Sequence, residues 1–187
     1  MRWKVTIVVV LSSIFAGCST YPVPRYSASA STVESLRANA PARASVGTFT
    51  ATGENRSEIT CRGVGPIKAA DGETFADYAK KALMSELRMA GLYSDAAPVT
   101  LTGNVTHLDF SSTEGHWDIG LTVTSSNGAT VSQTVKHNYP VNFAGEVACN
   151  TTAQAFMPAM QDAISAVVSD PNFPALLKAD PPLAGGR

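Results

Sequence analysis

Three histidines and three cysteines hold most of the chemistry open to this 187-residue chain. His107, His116 and His137 fall in one stretch, with Asp109, Glu114 and Asp118 close to the middle one. Imidazole plus carboxylate is the donor set of a hydrolytic zinc centre, where bound water becomes the nucleophile. A metal-dependent hydrolase on His107, His116 and His137 is therefore the catalytic reading that the residue types allow. Their spacing matches no ligand signature, and the chain contains no HExxH, GxSxG, GxxxxGK[ST] or calcium-loop pattern. Gly63-Val64-Gly65 supplies two glycines of a dinucleotide fingerprint, but Pro66 follows and the stretch reads as a turn. The carboxylates around His116 read as solvated loop charges and Trp117 as a core or rim aromatic. The reading favoured by the sequence has no catalytic residue, no metal ligand and no cofactor.

The cysteines say more. Arg2 and Lys4 precede an apolar stretch, Val5 to Phe15, broken only by Thr6, Ser12 and Ser13. That stretch is shorter than the roughly 20 apolar residues that span a bilayer. Ala16 and Gly17 then place small residues before Cys18, as in a cleaved export signal. The run Ile14-Phe15-Ala16-Gly17-Cys18 resembles the lipobox of bacterial lipoproteins, with Phe15 where leucine is usual. The resemblance implies that residues 1–17 are removed and that Cys18 is diacylated on sulfur as the new N-terminus. Two acyl chains hold a protein on a bilayer where one holds marginally. Ser19, rather than aspartate, follows the cysteine, which by the same resemblance implies the outer membrane, facing the periplasm.

With Cys18 assigned to lipid, Cys61 and Cys149 enter an oxidising compartment as an even pair. A Cys61–Cys149 disulfide is the expectation; two buried thiols, or a redox or metal site, are the alternatives. Closing a loop of that length is worth roughly 4–5 kcal/mol on the chain-entropy account. Loss of Arg2 and Lys4 with the signal turns 14 basic residues into 12 against 15 acidic, net −3. A mildly acidic chain without a Lys/Arg cluster offers no footprint for nucleic acid.

The elements that must position these residues follow from patterning. Residues 18–42 are Pro-, Ser- and Ala-rich and predict a flexible tether, with one short helix from Thr32 to about Asn39 opened by the capping-box form Ser31-Thr-Val-Glu34. The domain is expected over 43–178, with 179–187 as a tail. Strands are predicted at 44–51 and 57–62, the second carrying Ile59 and Cys61 at period two. The clearest helix runs from Glu73 to Ala90, with Thr74 and Asp77 at its start and Gly91 as its cap. Three strands follow. Val99 to Phe110 changes phase near His107, which predicts a bulge. Trp117 to Val123 alternates strictly, and Asn127-Gly128 turns the chain into a strand carrying Val131, Val135, Tyr139, Val141 and Phe143 on one side. A last helix is predicted over 150–168, kinked or started by Pro158. The predicted architecture is α+β: a two-layer sandwich with one antiparallel sheet of about five strands and two helices on one face. Its order is strand-strand-helix-strand-strand-strand-helix.

Several blocks resemble a family of small, functionally uncharacterised bacterial lipoproteins: Cys61-Arg-Gly-Val-Gly-Pro66, Gly72-Glu-Thr-Phe-Ala-Asp-Tyr78, Val99-Thr-Leu-Thr-Gly103, Leu108-Asp-Phe-Ser-Ser112, Leu121-Thr-Val-Thr-Ser-Ser-Asn-Gly128 and Ala148-Cys149 through Ala159. The resemblance spans roughly residues 45–178 and implies no catalytic residue. More loosely, the element order is similar to periplasmic α+β lipoproteins that assist envelope assembly or ABC-type lipid transport. The functional expectation is a non-catalytic binding or assembly module, held to the membrane through Cys18 and touching an envelope protein partner. Its contact surface is the edge strand near Pro140 or the polar sheet face bearing Thr100, Thr102, Thr122 and Thr124.

Overall fold

The computed structural model describes residues 19–54 and 56–179. The segment expected to be an export signal, Cys18 and the expected tail from residue 180 lie outside the described residues. Six segments form the main sandwich. Strand β2 (Ser45–Ala51) lies beside β5 (Thr100–Ser111), β6 (His116–Ser125) and β7 (Thr130–Asn138), in the order β2-β5-β6-β7. Helices α2 (Phe75–Ala90) and α3 (Gly145–Val168) cover one face, α2 over β2 and β5, α3 over β6 and β7. The alternation read from sequence is what makes this possible. Leu101 and Val105 on β5, Trp117, Ile119, Leu121 and Val123 on β6 and Val131 on β7 all turn inward and are buried. The register of β5 on β6 shifts between Val105 and His107, the predicted bulge, and lets Leu108 and Phe110 rejoin the inner face opposite Ile119 and Trp117.

Phe156 on α3 is the hub of the core. Its ring lies 4.9 Å from Trp117, 5.1 Å from Phe75 and 5.1 Å from Tyr78 (centroid distances), each at a steep interplanar angle. Such edge-to-face contacts place positive ring edges on negative ring faces. The indole N–H of Trp117 donates to the Thr152 carbonyl at 2.8 Å, so the buried polar atom is satisfied. Helix α2 starts and stops as predicted: the Thr74 hydroxyl accepts from the Asp77 amide, and Gly91 takes the left-handed cap at φ 77°. Helix α3 begins at Gly145, ahead of the predicted start, and runs on through Pro158. Proline removes one backbone donor, and burial of Phe156, Ala159 and Met160 around it outweighs that loss.

The single five-stranded antiparallel sheet is corrected to two sheets. A smaller one has the order β1-β4-β3, where β1 is Tyr21–Pro22, β3 Glu58–Cys61 and β4 Gly65–Lys68. Arg62 and Gly63 both have positive φ, 48° and 66°, and turn β3 back into β4, so the stretch read as a turn leads into a further strand rather than directly toward the helix. Strand β2 is parallel to β5, because α2 crosses over between them and returns the chain to the same end of the sheet. Period-two alternation reports which face is buried, not which strand is the neighbour.

The flexible tether expected over 18–42 is also corrected, over the described residues 19–42. Tyr21 pairs with Ile67 and Pro22 with Lys68 in parallel register, and Tyr21 and Val23 are buried. Helix α1 spans Ala30–Arg37 and buries Val33 and Leu36 against α2 and α3. Its cap is not Ser31. The N-cap is Ser29, whose amide donates to Glu86 Oε1 at 2.8 Å. A carboxylate on α2 thus does what Glu34 was predicted to do, while Glu34 pairs with Arg37 on the surface. The phenol of Tyr26 donates to the same Glu86 oxygen at 2.6 Å, that of Tyr78 to the Pro24 carbonyl at 2.9 Å, and Arg25 grips Asp71. Segment 19–42 is a strap latched across the helices, and the folded domain begins near residue 19 rather than 43. The short helix α4 (Phe173–Leu176) closes the far end, burying Phe173 and Leu176.

Candidate functional site

The three histidines do not come together. His107 lies on the outer sheet face opposite Gly120, just past the bulge. His116 opens β6 on that same face, with Nε2 3.2 Å from Asp118 Oδ2 and Nδ1 3.6 Å from Glu114 Oε2. Four residues of extended strand separate Gly120 from His116, roughly 13 Å. His137 shares the opposite face with Trp117 and holds Asp162 of α3 at 2.7 Å. Among the described residues, no group of three His, Cys, Asp or Glu side chains could hold a metal ion. Each histidine is accounted for by its local place: two pair with carboxylates near their own strand or helix, and His107 sits exposed at the bulge.

Cys61 and Cys149 are joined, with Cα atoms 5.8 Å apart across 88 residues of sequence. Both are fully buried. The bond ties the β3–β4 hairpin to the first turns of α3. Arg62, next in sequence, donates from Nε to the Ser112 hydroxyl at 2.8 Å, from Nη2 to the Ser112 carbonyl at 2.6 Å and from Nη1 to the Phe143 carbonyl at 3.3 Å. Its left-handed backbone thus braces two loops at one end of the molecule.

The outer face of the four-stranded sheet, which neither α2 nor α3 covers, has a regular chemistry. Ser45 and Thr100 hydroxyls lie 2.8 Å apart, Thr122 and Ser132 2.8 Å, and Thr124 and Thr130 3.1 Å, while Thr102 donates to the Thr124 carbonyl at 3.2 Å. Asn104 extends the row by donating from its amide to Thr52 at 3.0 Å. Cross-strand pairing fixes these spacings, because directly opposed residues share a face. Each hydroxyl offers one donor and two acceptor positions, so lateral bonding leaves acceptor capacity facing outward. The outward positions from Thr124 to Gly120 on β6 and from Thr130 to Thr134 on β7 carry no charge; beyond them charges begin at Asp118, opposite Lys136.

Beside the array β7 is an edge strand. It ends at Asn138, two residues short of Pro140, which lacks an amide and turns the chain off the sheet. The strand predicted to carry Val141 and Phe143 therefore stops before them, and both are exposed. At the opposite edge, where β5 bulges away from the end of β2, a cleft of about 390 Å³ opens. Phe75 and Val105 line its floor, and Glu54, Arg56, His107 and Asp109 are at its rim. The rim mixes acid, base and imidazole without a nucleophile held by a base. The Asp109 carboxylate accepts from the Phe110 amide at 2.8 Å instead of orienting His107.

No protein-family model and no curated protein matches the chain. Among solved structures it is similar to protein XCC0632 from Xanthomonas campestris, described as DUF330. The identity is 12% and the TM-score 0.48, over 80% of this chain and 94% of that one. The hydroxyl array was legible in sequence as Thr alternation on the polar face. The cleft was not, because it depends on where a bulged strand and a parallel neighbour diverge.

Proposed function

We propose that this chain is a lipid-anchored lipoprotein of the outer membrane, facing the periplasm, that binds an envelope partner rather than turning over a substrate. The observation that carries the reading is the uncharged hydroxyl array on an uncovered sheet face, flanked by the free edge of β7. A face of this kind offers many weak, directional hydrogen bonds and no developing charge to stabilise, which suits recognition rather than catalysis. The edge strand adds a row of backbone donors and acceptors that an extended partner segment can complete. Supporting the location are the lipobox resemblance at Cys18 and the oxidised Cys61–Cys149 pair, which an oxidising compartment maintains.

Site-specific photocrosslinking in cells tests it. Probes at Thr102, Thr122 and Thr134 should each capture the same envelope protein, while probes on the solvent face of α1, at Ser35 for instance, should not. Failure to recover a partner from any position on the array or on β7 would overturn the reading.

A further inference from the structure

Three of the four large hydrophobic side chains that the described residues leave exposed fall within seven positions, in the loop after β7 and the first turn of α3: Val141, Phe143 and Val147. Phe143 is 100% exposed and packs on nothing. The loop is nonetheless well anchored. Asn142 Oδ1 accepts from the Ala144 amide at 2.9 Å, Arg62 holds the Phe143 carbonyl, and α3 starts immediately after it, clamped to β3 by the disulfide. A braced loop, continued by Val147 in the first turn of α3, that presents its largest apolar side chain outward is a contact surface looking for an apolar partner.

What that partner is follows from where the chain enters the fold. Ser19 lies across from Gly65 at the start of β4, so closely that a Cβ on Gly65 would collide with the Ser19 carbonyl. Val64 comes next, and its Cγ2 would lie only 3.0 Å from a Cβ on Gly145, two residues beyond Phe143. Strand spacing and chain geometry put Phe143 on the order of 20 Å or less from Ser19. Cys18 is the residue bonded to Ser19. No slack separates the two, because the segment expected to be a tether is paired into the small sheet by Tyr21.

We propose that Val141, Phe143 and Val147 form a membrane-seating face: the acyl chains on Cys18 enter the lipid beside it, and Phe143 dips into the headgroup–acyl boundary. The proposal rests on the lipoprotein reading of Cys18. Lipid covers this face rather than a protein, because the anchor holds it against a bilayer at high effective concentration, leaving little room for a competitor. The attraction is apolar. Arg62 is the basic group at the loop, and Glu114 and Glu146 are exposed nearby, so anionic headgroups add nothing. The domain then stands with the turns joining β5 to β6 and leaving β7 toward the membrane, and the Asn127-Gly128 hairpin away from it. Along β7, Thr130 and Asn138 are roughly 27 Å apart. The hydroxyl array consequently faces sideways, parallel to the bilayer, where a periplasmic partner reaches it.

The test uses the full chain, processed in cells and reconstituted into vesicles of phosphatidylethanolamine and phosphatidylglycerol containing a mid-chain-brominated phosphatidylcholine. Bromine quenches tryptophan that reaches the acyl region. Phe143→Trp places a reporter in the loop without disturbing packing, since the native ring touches nothing. Thr130→Trp places one on an exposed position at the other end of β7, and the unsubstituted protein gives the background from buried Trp117. Quenching several-fold greater at position 143 than at 130, and equal in vesicles lacking phosphatidylglycerol, is the expected result. Equal or absent quenching at 143 in a chain whose mass carries the lipid overturns the seating but leaves the anchor. A mature chain whose mass carries no lipid on Cys18 overturns both. Concentration-dependent self-association abolished by Phe143→Ser, with position 143 unquenched, would assign the face to a second copy and likewise overturn the proposal.

Discussion

The sandwich of α2, α3 and the four-stranded sheet is held by apolar contact, whereas the strap over residues 19–42 is held chiefly by polar latches. In the sandwich, Phe156 touches three other aromatic rings, and the surrounding aliphatic side chains are fully buried. On the strap, the tightest contacts are hydrogen bonds to groups far away in sequence: Tyr26 and Ser29 to Glu86, the Ser27 carbonyl to Gln161, the Pro24 carbonyl to Tyr78 and Arg25 to Asp71. The contrast teaches where stability sits. Apolar burial is additive and tolerant of register, while a buried carboxylate that caps a neighbouring helix is a single pin, left unpaired when its donors are removed.

The sharpest way to break the contrast is to empty the hub. Phe156→Ala should cost about 3–5 kcal/mol by leaving a cavity among Phe75, Tyr78 and Trp117, read as a fall in denaturation midpoint with the strap and core unfolding together. Replacing both Cys61 and Cys149 by Ser should cost about 2–5 kcal/mol, since it frees the β3–β4 hairpin from α3. Its signature is faster amide exchange in β3, β4 and the first turns of α3, with β5 to β7 little changed.

Tyr26→Phe removes one donor from a fully buried carboxylate and should cost about 1–3 kcal/mol. If the strap is a separable latch, amides of α1 and the flanking segment exchange faster while those of β6 keep their protection. Uniform acceleration across the chain would mean that strap and core form one cooperative unit. The same phenol is pushed well above the usual tyrosine range, first by burial and then by its bond to Glu86. Its neutral form is favoured in the fold, so stability holds below the ordinary tyrosine pKa of about 10 and declines as pH rises beyond it.

The smallest effect belongs to the exposed Arg25–Asp71 pair. Arg25 holds the Asp71 carboxyl below its usual range. That sign gives a contribution present above about pH 4, the ordinary aspartate range, and lost as pH falls through the lowered value. Asp71→Asn should therefore lower the thermal midpoint slightly at pH 7 and leave it unchanged at the acid end of the titration, as measured by parallel melts.

Much of the sandwich was readable in the chain because its signals are local. Thr74, Asp77 and Gly91 mark α2, Asn127-Gly128 marks the hairpin, and the phase change at His107 marks the bulge, each within a few residues of the structure it specifies. The hydroxyl face was readable for the same reason, as threonines at period two. The strap was misread because its low aliphatic content mimics a linker: Tyr21, Val23, Val33 and Leu36 are too few to show periodicity, yet each is buried. The exposed loop was misread as well, since Val141 and Phe143 continue the alternation of β7 past the point where Pro140 ends it.

By itself the sequence determined the pairing of Cys61 with Cys149, the caps of α2, the meander and the alternation that makes one sheet face apolar. All of these rest on covalent chemistry or on contacts between near neighbours. Only the tertiary structure decided that there are two sheets, that β2 runs parallel to β5, that Glu86 caps α1 from another helix, that the histidines lie apart, and that Ser19 and Phe143 share one end of the molecule. Those facts depend on which distant segments meet, and that is settled by the packing of the whole core rather than by any stretch of the chain.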